Sequence, residues 1–166
     1  MTSLALIGAL ALGYFLTTLT LWIGHWFSHL PWSPLRGFHV LGHHVLYPIG
    51  RRSLSDRFLF ASGWHDSVYA FVPWFALEGV VIWTILPWAL ALVVTAEAGV
   101  LVLLFSFVHA QFHVISSPLA RSARFARARC RHFLHHDEDV NYAVFDHCWD
   151  RVFGTFADLR LVRRAV

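Results

Sequence analysis

Apolar residues run almost unbroken from Leu4 to Gly24, and no Asp, Glu, Lys or Arg precedes Arg36. About 20 apolar residues let a helix cross a bilayer, so this stretch predicts a membrane span. No basic residue precedes it and it is long for a secretory signal, so it reads as retained. A second apolar block, from about Val72 to Phe107, is too long for one span and predicts a hairpin of two. Its turn falls at Leu86-Pro87 or at Thr95-Ala96-Glu97; Pro87 could also merely kink a membrane helix. Between the blocks, Ser33-Pro34 and Ser55-Asp56 read as helix starts. Residues 58–72 are aromatic and mixed, suited to a membrane interface. Ser117-Pro118 opens a further helix carrying Arg121, Arg124, Arg127, Arg129 and Arg131. Each Arg would cost about 2.5–3.5 kcal/mol in hydrocarbon, so this helix belongs at the membrane surface. Asp146 is placed to cap a last short helix that stops at Gly154. The pattern predicts an all-α integral membrane protein: one domain over residues 1–166, with three to four spans and a cytoplasmic, histidine-rich helical cap.

Composition agrees with that reading. The chain is 57% hydrophobic and 14% charged, with a mean hydropathy of +0.56, too apolar for an ordinary water-soluble domain. Its net charge of +3 comes from Arg clusters that flank the apolar blocks, including Arg51, Arg52 and Arg57. The positive-inside rule explains them better than nucleic-acid binding does. It places the N-terminus outside and the C-terminus in the cytoplasm. Basic positions are Arg throughout, which fits a GC-rich bacterial genome better than a mechanism; the expected location is a bacterial inner membrane. Cys130 and Cys148 lack metal-type spacing and read as free thiols. Glu78 and Glu97 interrupt the second apolar block, either as functional groups or as markers of helix ends.

The histidines change the picture most. His25 and His29, His39 and His43, His109 and His113, and His132 and His136 are four pairs at helical spacing. His44 and His135 extend two of them, so ten of the twelve histidines are grouped. Random placement would give about one such pair by simple matching. Imidazoles four apart share a helix face and can grip one ion, and neutral imidazole suits Fe, Zn, Cu or Ni. Ten ligands are too many for one ion and about right for two. Each ligating ring also needs an acceptor for its second N–H. Asp66, Asp137, Glu138, Asp139, Asn141, Asp146 and Asp150 could supply it. His65 and His147 have no partner at helical spacing and stay outside the ligand set.

The segments HWFSH (25–29), HVLGHH (39–44), HAQFH (109–113) and HFLHH (132–136) resemble the histidine boxes of the fatty acid hydroxylase/sterol desaturase superfamily. The tail NYAVFDHCWDRVFGTF, residues 141–156, resembles that family's closing signature. The resemblance covers roughly residues 20 to 157. Two departures stand out: three residues, where the family often has two, separate His39 from the His43-His44 pair, and Ala143 replaces a usual Gly. The resemblance implies two iron ions held by the ten grouped histidines, with zinc able to replace iron in purified protein. It also implies dioxygen as co-substrate, and Asn141 and Asp150 as supports for the ligands. The expected reaction is hydroxylation or desaturation of a lipid-soluble substrate: an acyl lipid, a sterol-like molecule or an isoprenoid. Short bacterial carotene hydroxylases share the boxes but lack the tail, which favours a sterol- or acyl-type member. No cytochrome b5 module precedes the boxes, so a separate ferredoxin-like or cytochrome b5-like protein is the expected electron donor. The rival expectation is a divalent-metal transporter or metal-binding membrane protein without oxygenase activity. A zinc hydrolase ranks last for want of a His-Glu-x-x-His motif.

Overall fold

The structure, a computed structural model, describes residues 2–48, 71–144 and 146–158. The readings that fall on Arg51, Arg52, Ser55-Asp56, Arg57, His65, Asp66 and most of the interfacial stretch 58–72 lie outside them. The described residues are helical, with no strand among them. The elements are α1 (Ser3–His29), α2 (Arg36–Phe38), a π-helical turn (His39–His44), α3 (Val72–Ile85), α4 (Trp88–Phe112), a 3-10 turn (Pro118–Arg121), α5 (Ala123–His135) and α6 (Cys148–Val152).

Two helices, α1 and α4, are long and apolar enough to cross a membrane. The 14 residues of α3 are apolar but span only about 21 Å at 1.5 Å per residue. The chain turns at Leu86-Pro87, because Pro87 cannot donate to a continuing helix and forces Leu86 into extended backbone. The alternative turn at Thr95–Glu97 lies inside α4, and Glu78 lies inside α3, so neither acid marks a helix end. Two start signals act a step later than predicted. Ser33 accepts from Leu35 N in a turn before α2 begins at Arg36. Ser117-Pro118 opens only the 3-10 turn that holds Arg121, and Ser122 then caps α5 by accepting from Phe125 N. Asp146 does accept from Cys148 N at the start of α6, and Gly154 follows that helix with φ +73°.

Close approaches set the packing. Gly13 of α1 lies against Val94 and Glu97 of α4, and the two helices run parallel, so their histidine-bearing ends coincide. Any Cβ at Gly13 would collide with that pair. α3 runs antiparallel to α1: Phe71 fills the space left by Gly24, the Thr17 hydroxyl donates to Glu78 at 2.8 Å, and Ile82 clusters with Ala9. At the histidine end, α5 closes the core through Phe125 on Phe112, joined by Leu21, Phe71, Phe105 and Val144. The tail docks along one stripe of α1, at Tyr14, Thr18, Trp22 and His25. Tyr14 donates to Asp146, Trp149 donates to Thr18 at 3.0 Å, Trp22 donates to Asp150 at 2.9 Å, and Tyr142 O accepts from His25. The opposite end is an apolar belt of exposed side chains, among them Leu4, Ile7, Val80, Trp83, Trp88 and Leu92.

Candidate metal centre

Each histidine group arrives on its own element: the last turns of α1 and α4, the π-helical turn, and the end of α5. The structure brings all ten rings together. Nitrogens of His25, His29, His39 and His135 lie within 4.8 Å of one another, as do those of His43, His109, His113 and His132; all eight residues are buried. Half-buried His44 and His136 stack ring on ring at 4.1 Å between the two groups. His44 Nε2 is 3.1 Å from His39 Nε2, and His136 Nε2 is 3.1 Å from His132 Nε2. Each therefore joins one group, making five imidazoles apiece. The partition cuts across the sequence motifs. His39 and His44 face one group while His43 faces the other; His132 and His136 face one group while His135 faces the other.

The proton positions show what these groups fit. Backbone carbonyls only accept, so His25 Nδ1 donates to Tyr142 O, His135 Nδ1 to Val140 O at 2.9 Å, and His136 Nδ1 to Tyr47 O at 3.1 Å. His29 Nδ1 bonds Asp139 Oδ1 at 3.0 Å. A neutral ring carries one proton, so the Nε2 atoms of these rings turn bare lone pairs inward. Those of His29 and His135 are buried without a hydrogen-bond partner, as are both nitrogens of His43. Nε2 of His39 faces Nε2 of His25 at 2.8 Å and Nε2 of His44 at 3.1 Å, and one nitrogen cannot satisfy both with a single proton. His113 and His132 approach through Nε2 at 2.9 Å. Nitrogens bound to one ion at about 2.0–2.1 Å, at tetrahedral or octahedral angles, stand roughly 2.9–3.4 Å apart. The observed spacings fit ligands of a shared cation. Burial first, then neighbouring imidazoles, holds His39, His43 and His132 well below the usual histidine range, and burial takes His135 down to about 4. Neutral rings are the form that binds metal. These buried histidine groups could hold metal ions.

The extra residue in His39–His44 has a local cause. On α5, an α-helix, His132, His135 and His136 stand at i, i+3 and i+4. In the π-helical turn, His39, His43 and His44 stand at i, i+4 and i+5. A π-helix bonds i to i+5 and takes about one more residue per turn, so both segments present the same fan of three rings; such turns gather at functional sites. Deletion of exposed Leu41 should let the segment revert to α-helix and keep both metal equivalents. Deletion of Leu134 from α5 should lose them, with elemental analysis of the purified variants as the check.

Neither predicted supporting residue hydrogen-bonds a grouped ring. Asn141 sits at φ +53° and bridges the tail, its side chain accepting from Ala157 N at 3.0 Å and donating to Ala157 O at 3.2 Å. Asp150 touches none of the ten rings; it accepts from His147 Nδ1 at 2.8 Å and from Tyr142 N at 2.9 Å. It thereby holds the segment whose carbonyl orients His25. Asp139 accepts the N–H of a grouped ring, that of His29. Asp137, Glu138 and Asp139 also line a polar opening of about 200 Å³ beside His29, His44, His135 and His136. Tyr142 and Tyr47 carry roles the sequence did not announce. The Tyr142 ring lies 5.2 Å from His29 and 5.3 Å from His135, and the Tyr47 ring stacks on His113 at 3.8 Å.

Comparison with protein-family models, with curated proteins and with solved structures returns no match.

Proposed function

We propose that the chain is a membrane-bound di-iron oxygenase that hydroxylates or desaturates a lipid-soluble substrate. The observation that carries this reading is the make-up of the two groups: five imidazoles each, with no carboxylate or thiolate in either among the described residues, at one end of an apolar helical belt. His25, His29, His39, His44 and His135 would hold one ion, and His43, His109, His113, His132 and His136 the other. When bound, the iron pair supplies dioxygen activation for attack on an unactivated C–H bond, with electrons from a separate ferredoxin-like or cytochrome b5-like protein. The chain's own groups do the rest. The carbonyls of Tyr142, Val140 and Tyr47 fix ring tautomers. The rings of Tyr142, Tyr47 and Phe112 pack against the ligands. The likeness of the four boxes and tail to the fatty acid hydroxylase/sterol desaturase superfamily supports the same reading.

In this reading the apolar belt lies in the bilayer. α1, α3 and α4 make three passes, with the bilayer thinned around short α3. The N-terminus is then outside, and the histidines, α5 and the tail form a cytoplasmic cap. Transport ranks second because carrier sites lie near the midplane, whereas these rings cluster at the helix ends. The deciding experiment is expression with iron, followed by metal analysis and lipid profiling under isotopically labelled dioxygen. Two irons per chain and label in a lipid, or a new double bond, are expected. Unchanged lipids together with divalent-ion flux in proteoliposomes would establish the transporter instead.

A further inference from the structure

Glu78 sits in the middle of α3 and is only 7% exposed. One carboxyl oxygen accepts from the Thr17 hydroxyl at 2.8 Å. The other, Oε2, is buried and has no hydrogen-bond partner. An orphaned buried acceptor costs about 1–3 kcal/mol, so its place needs a reason. Glu78 lines a groove of about 450 Å³ between α3 and α4, walled by Phe75, Ile82, Val102 and Leu103. That volume is within the usual range of small-molecule sites. Gly79 and Gly99 also line it, and a Cβ at either would meet nothing within 4 Å. The groove lies in the apolar belt, beside exposed Leu77, Val80 and Val100.

The lining limits the occupant. Thr95 is already engaged, donating to Ala91 O at 2.8 Å and accepting from Trp83 Nε1 at 3.1 Å. Glu78 Oε2 is the side-chain acceptor of the lining that has no hydrogen-bond partner. A water molecule needs two to four polar partners, and an ammonium carries three N–H donors, of which Glu78 Oε2 would take one and leave the others on apolar walls. A hydrocarbon with one hydroxyl meets both surfaces.

We propose that the α3/α4 groove binds a lipid-soluble alcohol, its chain against the apolar walls and its O–H donated to Glu78. Thr17, the partner of Glu78, precedes His25 by eight residues, about 12 Å along α1. Phe71 and Phe105 lie between that level and the histidines, and Phe105 is 6.0 Å from His109. On the oxygenase reading, the anchored hydroxyl sets which carbon of the substrate faces the metal centre. That consequence rests on the oxygenase reading; the binding does not.

The test is binding of tritiated hexadecan-1-ol to the full chain, metal-free, in phosphatidylcholine nanodiscs, with unlabelled hexadecan-1-ol or hexadecane as competitor. Saturable binding is expected, displaced by the alcohol and not by the alkane. Glu78→Leu should weaken it about tenfold, the loss of one good hydrogen bond. Gly99→Leu should abolish it by filling the groove, and because its side chain enters open space it keeps the test decisive if Glu78→Leu fails to fold. Equal displacement by hexadecane, or undiminished binding to Gly99→Leu, overturns the proposal. Metal and dioxygen are absent throughout, so this result and that of the oxygenase test stand apart.

Discussion

His132→Ala and His135→Ala, three residues apart on one helix, should each lose one metal equivalent, and not the same one. His135 shares its group with His25, His29 and His39, whereas His132 shares its group with His43, His109 and His113. The double variant should therefore hold no metal. The pair His132→Ala with His109→Ala, whose residues come from different helices, should still hold one. Loss of a supporting residue typically weakens metal binding about 10–100-fold, and loss of a ligand exceeds that. On the oxygenase reading, lipid oxidation should fall below detection in every variant, because that chemistry would need both ions. Elemental analysis after dialysis against a weak chelator reads the outcome. If the His132/His135 double variant kept one equivalent while His132/His109 kept none, the ions would sort by sequence motif, and the partition described above would be wrong.

That partition marks the limit of what the sequence disclosed. The ten rings, their helical carriers and their convergence at one end were legible, because spacing on a helix and the position of apolar blocks are local properties. Which ring serves which centre was not, since it depends on how α1, α4, α5 and the π-helical turn rotate against one another. The carbonyls of Tyr142, Val140 and Tyr47 were invisible because every residue has a carbonyl. One missed signal was readable in principle. Tyr14, Thr18, Trp22 and His25 place polar atoms along one face of an otherwise apolar helix, and each of them meets the tail. Spacing of this kind foretells a docking partner but not its identity. Asn141 and Asp150, expected as direct supports of the ligands, hydrogen-bond none of the ten grouped rings; Asn141 bridges to Ala157, and Asp150 gathers Trp22, Tyr142, Ala143, His147 and Thr155.

Asp150→Ala should be the most destabilising single change outside the ligands. Asp150 is fully buried and accepts from Trp22 Nε1, Tyr142 N, Ala143 N, His147 Nδ1 and Thr155 Oγ1, all between 2.8 and 3.1 Å. Burial alone would raise its pKa, but the bonds from His147, Thr155 and Trp22 outweigh it and hold the carboxyl below the usual range. Because the folded value lies below the unfolded one, its stabilisation is present above about pH 4 and is lost as pH falls through the folded value. Removing the carboxylate strands several buried donors at once, at a cost of about 3–5 kcal/mol. The damage should reach the metal centre through one link. Tyr142 loses its anchor, its carbonyl leaves His25 Nδ1, and the group containing His25 should bind metal about 10–100-fold more weakly. The other group has no such link and should keep its ion. Tyr14→Phe breaks one bond between α1 and the same tail, to Asp146, and should cost about 1 kcal/mol with both ions retained. Denaturant unfolding in detergent, paired with metal titration, separates the cases. An Asp150→Ala protein with unchanged stability and two equally tight ions would show that the tail does not orient the centre.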